Sequence, residues 1–132
     1  MHIDKDLVAA SATPLVLGIL ADGESYGYAI LKRVAELSGG RMQWTDGMLY
    51  PLLHRLERLG LVSSSWATSE AGRRRKHYAI TTAGKDVLVE RQEQWAVVAD
   101  ALRHVWQDVQ EGVRHGVQQG FGTGPAVAEG RA

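Results

Sequence analysis

Trp44-Thr45-Asp46-Gly47-Met48-Leu49-Tyr50-Pro51-Leu52-Leu53-His54-Arg55-Leu56-Glu57-Arg58-Leu59-Gly60-Leu61 sorts one helix into two chemically different faces. Leu49, Leu52, Leu53 and Leu56 recur at i, i+3, i+4 and i+7, a spacing that gathers them into one stripe at about 100° per residue. Leu59 extends that stripe. The opposite side holds Gly47, Pro51, His54 and Arg58, flanked by Tyr50 and Arg55. Short residues, hydrogen-bond donors and cations are the types that dock into a DNA groove, while an aliphatic stripe is built to pack. Pro51 removes a backbone donor and costs on the order of 3 kcal/mol in a helix interior. Such a local violation points to a functional or specially shaped site. A merely solvated helix would also show two faces, so the flanking segments decide.

Upstream, Leu7 to Ala21 reads as a first helix that kinks or restarts at Pro14, with Thr13 as a candidate N-cap. Asp22-Gly23 stops it, and Ser25 is placed to cap a second helix from Tyr26 to Leu37 with Ile30, Leu31, Val34 and Leu37 inward. Ser38-Gly39-Gly40 ends that helix, and Thr45 caps the third, with Asp46 favouring its first turn. Three short helices joined by Gly-containing turns form a helix-turn-helix arrangement.

Downstream, Leu61 to Thr68 and His77 to Ile80 have strand character. Between them, Ser69 to Lys76 reads as a hairpin tip bearing Arg73, Arg74, Arg75 and Lys76, the wing of a winged helix. A cationic run is usually a solvated loop, but at a wing tip it reaches backbone phosphate or the minor groove. Side chains alternate along a strand, so not all four are expected to take part. A long final helix then runs from Gly84 or Lys85 to Val113. Leu88, Trp95, Leu102 and Val109 lie seven apart on it, with Val98 and Val105 interleaved and Arg91 and Gly112 breaking the second series. A coiled-coil-like stripe of this kind predicts a homodimer.

The bulk numbers fit this organisation. The chain has 132 residues, 45% of them apolar, enough for one small domain and an accessory element. Cysteine is absent, which excludes a disulfide framework, a thiolate metal site and a cysteine nucleophile, and is compatible with a reducing cytoplasm. The apolar stretch Leu7 to Ala21 is short and interrupted by Ser11, Thr13 and Pro14, so neither a signal peptide nor a membrane anchor is expected. Net charge is zero, yet residues 41–85 carry eight Lys/Arg against three Asp/Glu, and residues 86–132 carry four against seven. Phosphate binding follows local potential within roughly 8 to 10 Å, so the local excess matters more than the total. His2, His54, His77, His104 and His115 do not cluster at ligand spacing, and no phosphate loop, triad or paired-acid motif stands out. No metal, cofactor or catalysis is expected.

The ordered segments together resemble the PadR family of bacterial transcriptional regulators over roughly Thr13 to Trp106. The matching segments are Gly27-Tyr28, Leu37-Ser38-Gly39-Gly40, Gly47 to Glu57, Gly60-Leu61 and Tyr78-Ala79-Ile80-Thr81-Thr82-Ala83-Gly84. With a single C-terminal helix the chain is similar to the short subgroup. Tyr26 stands where the family commonly has His, Asp46 where it often has Pro, and Met48 where Thr or Ser commonly precedes Leu-Tyr-Pro. Loss of that hydroxyl removes one expected contact.

The expected architecture is therefore mainly α with a small β-hairpin: a winged helix-turn-helix at 1–82, a dimerisation helix at 83–113 and a disordered tail at 114–132. The expected DNA-contacting residues are Tyr28, Lys32, Thr45, Tyr50, Pro51, His54, Arg55, Arg73, Arg74, Arg75 and Lys76. The dimer stripe is Leu88, Trp95, Val98, Leu102, Val105 and Val109. The resemblance also implies a small aromatic effector near Trp95, Val98 and Ala99 in some members, although aromatic residues at helical spacing are more often plain packing, Trp106 more so than Trp95. Trp44 and Trp66 read as packing residues of the DNA-binding domain. The function implied is a cytoplasmic, homodimeric repressor on a two-fold double-stranded operator. Two alternatives stay open: a winged-helix interaction module that does not bind DNA, and a sensor of the MarR or ArsR groups.

Overall fold

The computed structural model describes residues 1–119. The elements in chain order are α1 (Lys5–Ala21), β1 (Ser25–Tyr26), α2 (Gly27–Leu37), α3 (Asp46–Arg58), β2 (Val62–Thr68), β3 (Arg74–Ile80) and α4 (Thr82–Gln119). The three strands form one antiparallel sheet in the order β1-β3-β2, so the expected hairpin gains a third strand. Contacts divide the chain between Gln92 and Glu93, rather than at the expected 82/83 boundary. The physical reason lies in the first turns of α4, where Val87 and Leu88 pack against the core of the first unit. Residues 114–119, expected in the tail, continue α4, and the rest of that tail lies outside the described residues.

Three helix starts differ from the reading of the sequence, among them that of α4, which opens at Thr82 rather than at Gly84 or Lys85. α1 begins at Lys5 and runs unbroken through Pro14, capped by the Asp4 carboxylate, which accepts from the Asp6 N–H at 2.9 Å. Thr13 is therefore interior to the helix. The carbonyl of Ala10, four residues before Pro14, loses its helical donor, but Ala10 is exposed and water can replace it. Ser25 does not cap α2, because its backbone pairs with Tyr78 in β3 while Tyr26 pairs with His77. Tyr26 occupies the cap position with extended backbone and no side-chain capping bond. Thr45 likewise precedes α3 without a side-chain capping bond, although its carbonyl accepts from the N–H groups of Met48 and Leu49.

α3 continues through Pro51 and ends where Gly60 takes a φ of +76°. That left-handed residue lets the Leu61 N–H reach back to the Leu56 carbonyl at 2.9 Å, a Schellman closure that turns the chain into β2. The core beneath is aliphatic: Val16, Leu17 and Leu20 of α1 meet Ile30 and Val34 of α2 and the α3 stripe Leu49, Leu52, Leu53 and Leu56. Leu37 and Leu59, expected inward, are 51% and 62% exposed because each sits at the end of its helix, where the chain leaves the core. Trp44 is buried as expected, whereas Trp66 is 60% exposed and does not pack inside.

Tyr78 closes the core from the sheet side and is 1% exposed, with no hydrogen-bond partner for its hydroxyl. Burial pushes its phenol above the ordinary value, with the Glu57 carboxylate and Tyr50 adding to the rise. A raised folded-state pKa gives stability that is complete below the unfolded value of about 10 and is lost as pH climbs through the folded value. Tyr78→Phe is thus expected to shift the alkaline unfolding midpoint upward in a circular-dichroism pH titration while leaving neutral-pH stability within about 1 kcal/mol. An unchanged alkaline midpoint would show that Tyr78 does not govern the transition.

Candidate nucleic-acid interface

Residues separated by three or four positions on α3 share a side, so Tyr50 and His54 project together on one flank, and Pro51 and Arg55 on the adjoining one. All four are exposed, while the leucines on the far side are buried. Tyr50 lies across the start of α2. A Cβ built on Gly27 would stand 2.2 Å from the Tyr50 hydroxyl and 2.7 Å from Cζ, so a residue without a side chain is what lets the ring settle there. Gly27→Ala is expected to swing Tyr50 off α2 while changing thermal stability by only about 1 kcal/mol, since the obstacle is the free end of a side chain. A ring resonance of Tyr50 that keeps its chemical shift in the variant would contradict this packing.

The wing supplies the charge. The register pairs Arg74 with Thr68, Arg75 with Ala67 and Lys76 with Trp66, so these three cations belong to β3 itself. Only residues 69–73 form the tip, where the Ser69 N–H donates to the Arg73 carbonyl at 2.7 Å and Gly72 takes a φ of +81°. β3 therefore starts at Arg74 rather than at the expected His77, which leaves only Arg73 of the four cations at the tip. Alternation puts Arg74 and Lys76 on the face of the sheet that holds Tyr78, and Arg75 on the face that holds His77.

Aromatic rings hold the cations. The Arg74 guanidinium lies 4.9 Å from the Trp66 ring centroid, Arg75 lies 4.4 Å from that of Tyr26, and the Lys76 ammonium lies 5.7 Å from that of Tyr78. Each such contact is worth about 0.5–1 kcal/mol at an exposed site and restricts a side chain that would otherwise sample widely. Tyr26 and Trp66 thus position two of the candidate contact cations, a part that the sequence reading missed. The signal was the strand register, which places Trp66 and Tyr26 diagonally from Arg74 and Arg75 on the same sheet faces and is invisible before the pairing is known.

Between α2, α3 and the wing runs a groove of about 710 Å³. It brings together Tyr28, Tyr50, His54, Arg73, Arg74, Arg75 and Lys76, seven of the eleven expected contacts. No Asp or Glu lines it among the described residues. The acid at the back of α3, Glu57, is instead bound by the Ser64 hydroxyl of β2. Lys32 sits one turn beyond Tyr28 on α2 beside a separate depression, and Thr45 stands exposed at the start of α3. Pro51 and Arg55 line a different cleft on the α1 side of α3. On α4, Val98, Leu102, Val105 and Val109 are exposed, Trp95 and Ala99 are half-buried, and Leu88 faces the first unit's core. Among the described residues no helix is long and apolar enough to cross a membrane.

A helix-turn-helix pair backed by a cationic three-stranded wing, with a long helix after it, defines the winged-helix class of transcription regulators. The chain belongs to the PadR-like family of transcriptional regulators, whose family model matches residues 16–90. Members of that family regulate transcription and are not enzymes. A PadR family regulator from Eggerthella lenta is 34% identical, covering 76% of this chain and 86% of its own, with a TM-score of 0.67. A PadR family regulator from Clostridium difficile is 30% identical over 73% of this chain and 98% of its own, with a TM-score of 0.64. The transcriptional regulator YqjI of Escherichia coli is 28% identical over 67% of this chain, which spans 41% of that protein's length.

Proposed function

We propose that this regulator is a sequence-specific, homodimeric DNA-binding repressor whose α3 enters the major groove of each half of a two-fold operator. The observation that carries this reading is the acid-free groove joining Tyr50 and His54 to the wing cations. Donors on α3 suit base edges and phosphate, and fixed guanidinium groups on the wing suit the neighbouring backbone. Tyr28, at the entrance of the same groove, supplies a phenol donor. Thr45, Pro51 and Arg55 extend the contact surface along α3, and Lys32 extends it along α2.

Dimerisation rests on the exposed apolar residues of the second unit. Val98, Leu102, Val105 and Val109 recur at coiled-coil spacing, and Trp106 and Val113 widen the stripe. A two-fold dimer would set half-sites one helical turn apart or a multiple of it, about 34–36 Å per turn. An aromatic effector seated near Trp95, Val98 and Ala99 would act by favouring a dimer shape in which the two α3 helices no longer fit both half-sites. The site of action of such a protein is the cytoplasm.

Selection of genomic duplex fragments by the full chain, followed by titration of the best fragment in 50 to 300 mM salt, tests the proposal. The expected result is a two-fold site bound by two chains, with log affinity falling steeply and linearly against log salt. Absent or salt-insensitive binding would instead favour a winged-helix interaction module. A dimer built on other helices would move the assignment of the effector site away from Trp95.

A further inference from the structure

The first turn of α3 carries Asp46, Gly47 and Met48. Among the described residues of α3, Met48 is the one large side chain without a polar group left exposed, at 42%. Packing alone does not account for it, since Leu49 and Leu52 beside it are 0% and 8% exposed. Side chains on a helix lean toward its N-terminus, so Met48 is directed to the end of α3 that meets base edges in a helix-turn-helix protein. Nothing crowds that end. A Cβ built on Gly47 would meet only the Thr45 hydroxyl, at 3.7 Å, and Thr45, Asp46 and Gly47 are all exposed. The Asp46 carboxylate, two residues before Met48, projects from the opposite side of the turn.

We propose that Met48 is a specificity-determining residue that reads the 5-methyl group of a thymine in the major groove of each half-site. The proposal rests on the DNA-binding reading given above. A thioether has no donor and is only a weak acceptor, so it does not select a base by hydrogen bonding. The thymine methyl is the one apolar group that a base pair presents in the major groove, and covering it with Met48 removes two apolar surfaces from water together. Cytosine in the same place would turn its exocyclic amine toward a side chain that scarcely accepts, which leaves that donor without its water. An unbranched, polarisable side chain also adjusts to the exact position of the methyl.

The place of that thymine follows from the helix. Met48 and Arg55 are seven residues apart and lie about 20° from each other around α3, with the exposed ring of Pro51 between them. This strip runs along the α1 side of α3, while Tyr50 and His54 face the groove beside the wing. The methyl read by Met48 therefore belongs to the flank of the half-site away from the wing, and Arg55 reaches phosphate or a guanine edge two turns further along.

Replacing single thymines of the selected operator fragment by deoxyuridine tests the assignment, because it removes one methyl at a time and keeps the base pair. Fluorescence anisotropy with the full chain is expected to find one thymine per half-site, on the flank away from the wing, where deoxyuridine weakens binding about fourfold, the effect of burying one methyl-sized group. Met48→Ala, with its folding checked by thermal melting, should bind the thymine and deoxyuridine duplexes equally, as weakly as the unmutated chain binds the second. At the same position 5-methylcytosine should bind more tightly than cytosine for the unmutated chain and not for Met48→Ala. Arg74→Gln should weaken both duplexes and keep the fourfold ratio, since a wing cation meets backbone rather than a base. A deoxyuridine pattern shared by the unmutated chain and Met48→Ala would overturn the proposal and leave the DNA-binding reading in place. A chain that selects no duplex would overturn both.

Discussion

Gly84→Ala is expected to destabilise the first unit by on the order of 3 kcal/mol, the upper part of the range for overpacking a closed site. A Cβ at Gly84 would stand 2.1 Å from the Leu61 carbonyl oxygen and 2.8 Å from Cγ1 of Ile80. The obstacle is backbone, fixed by the Thr81 N–H that donates to the same carbonyl and by the Thr81 hydroxyl that donates to the Gly60 carbonyl at 2.7 Å. That hydroxyl also accepts from the Gly84 N–H at 3.0 Å, so the start of α4 cannot slide away without breaking its own cap. Thermal melting should fall by on the order of 10 °C or more. Gly18→Ala is the control, because nothing lies within 4 Å of its would-be Cβ and alanine favours a helix interior by about 0.5–1 kcal/mol. Equal melting temperatures for the two variants would refute the close approach of α4 to the end of α3.

The second large effect concerns the wing. Arg73→Gln, Arg74→Gln and Lys76→Gln together should lower duplex affinity on the order of 100-fold or more at about 0.1 M salt. The slope of log affinity against log salt should flatten by about 2 to 3, close to 0.9 per phosphate contact removed. Arg74 and Lys76 are included because they share the sheet face that holds Tyr78, and Arg73 because it closes the tip. Trp66→Ala should give a smaller loss of about threefold, the value of the ring contact that holds Arg74. Fluorescence anisotropy on a labelled duplex reads both quantities. A triple variant that keeps the unmutated slope would remove the wing from the interface.

Much of this molecule is legible in one dimension because the α3 stripe has only one helical solution. Leu49, Leu52, Leu53 and Leu56 are buried as their spacing requires, and the residues between them are exposed. Helix ends read less well. Pro14 marks a break by local rules, yet α1 passes through it, because one lost backbone bond on an exposed turn costs less than giving up the burial of Val16, Leu17 and Leu20. Ser25 has the chemistry of a cap but is taken by strand pairing to Tyr78, a partner 53 positions away. A two-residue strand of this kind carries no period of its own.

The sequence by itself determined the winged helix-turn-helix class, the buried face of α3, the cationic excess of residues 41–85 and the family, because each depends on residue order and local spacing. Tertiary structure decided which of those cations meet which helix. The registers of β2 and β1 against β3 moved Arg74, Arg75 and Lys76 from a loop into a strand and set Trp66 and Tyr26 beside two of them, while the packing of α1 on one side of α3 and of α2 and the wing on the other divided α3 between a cleft at Pro51 and Arg55 and a groove at Tyr50 and His54. Strand register and the close approaches at Gly27 and Gly84 are contacts between residues far apart in the chain, and their energies exist only once both partners are in place.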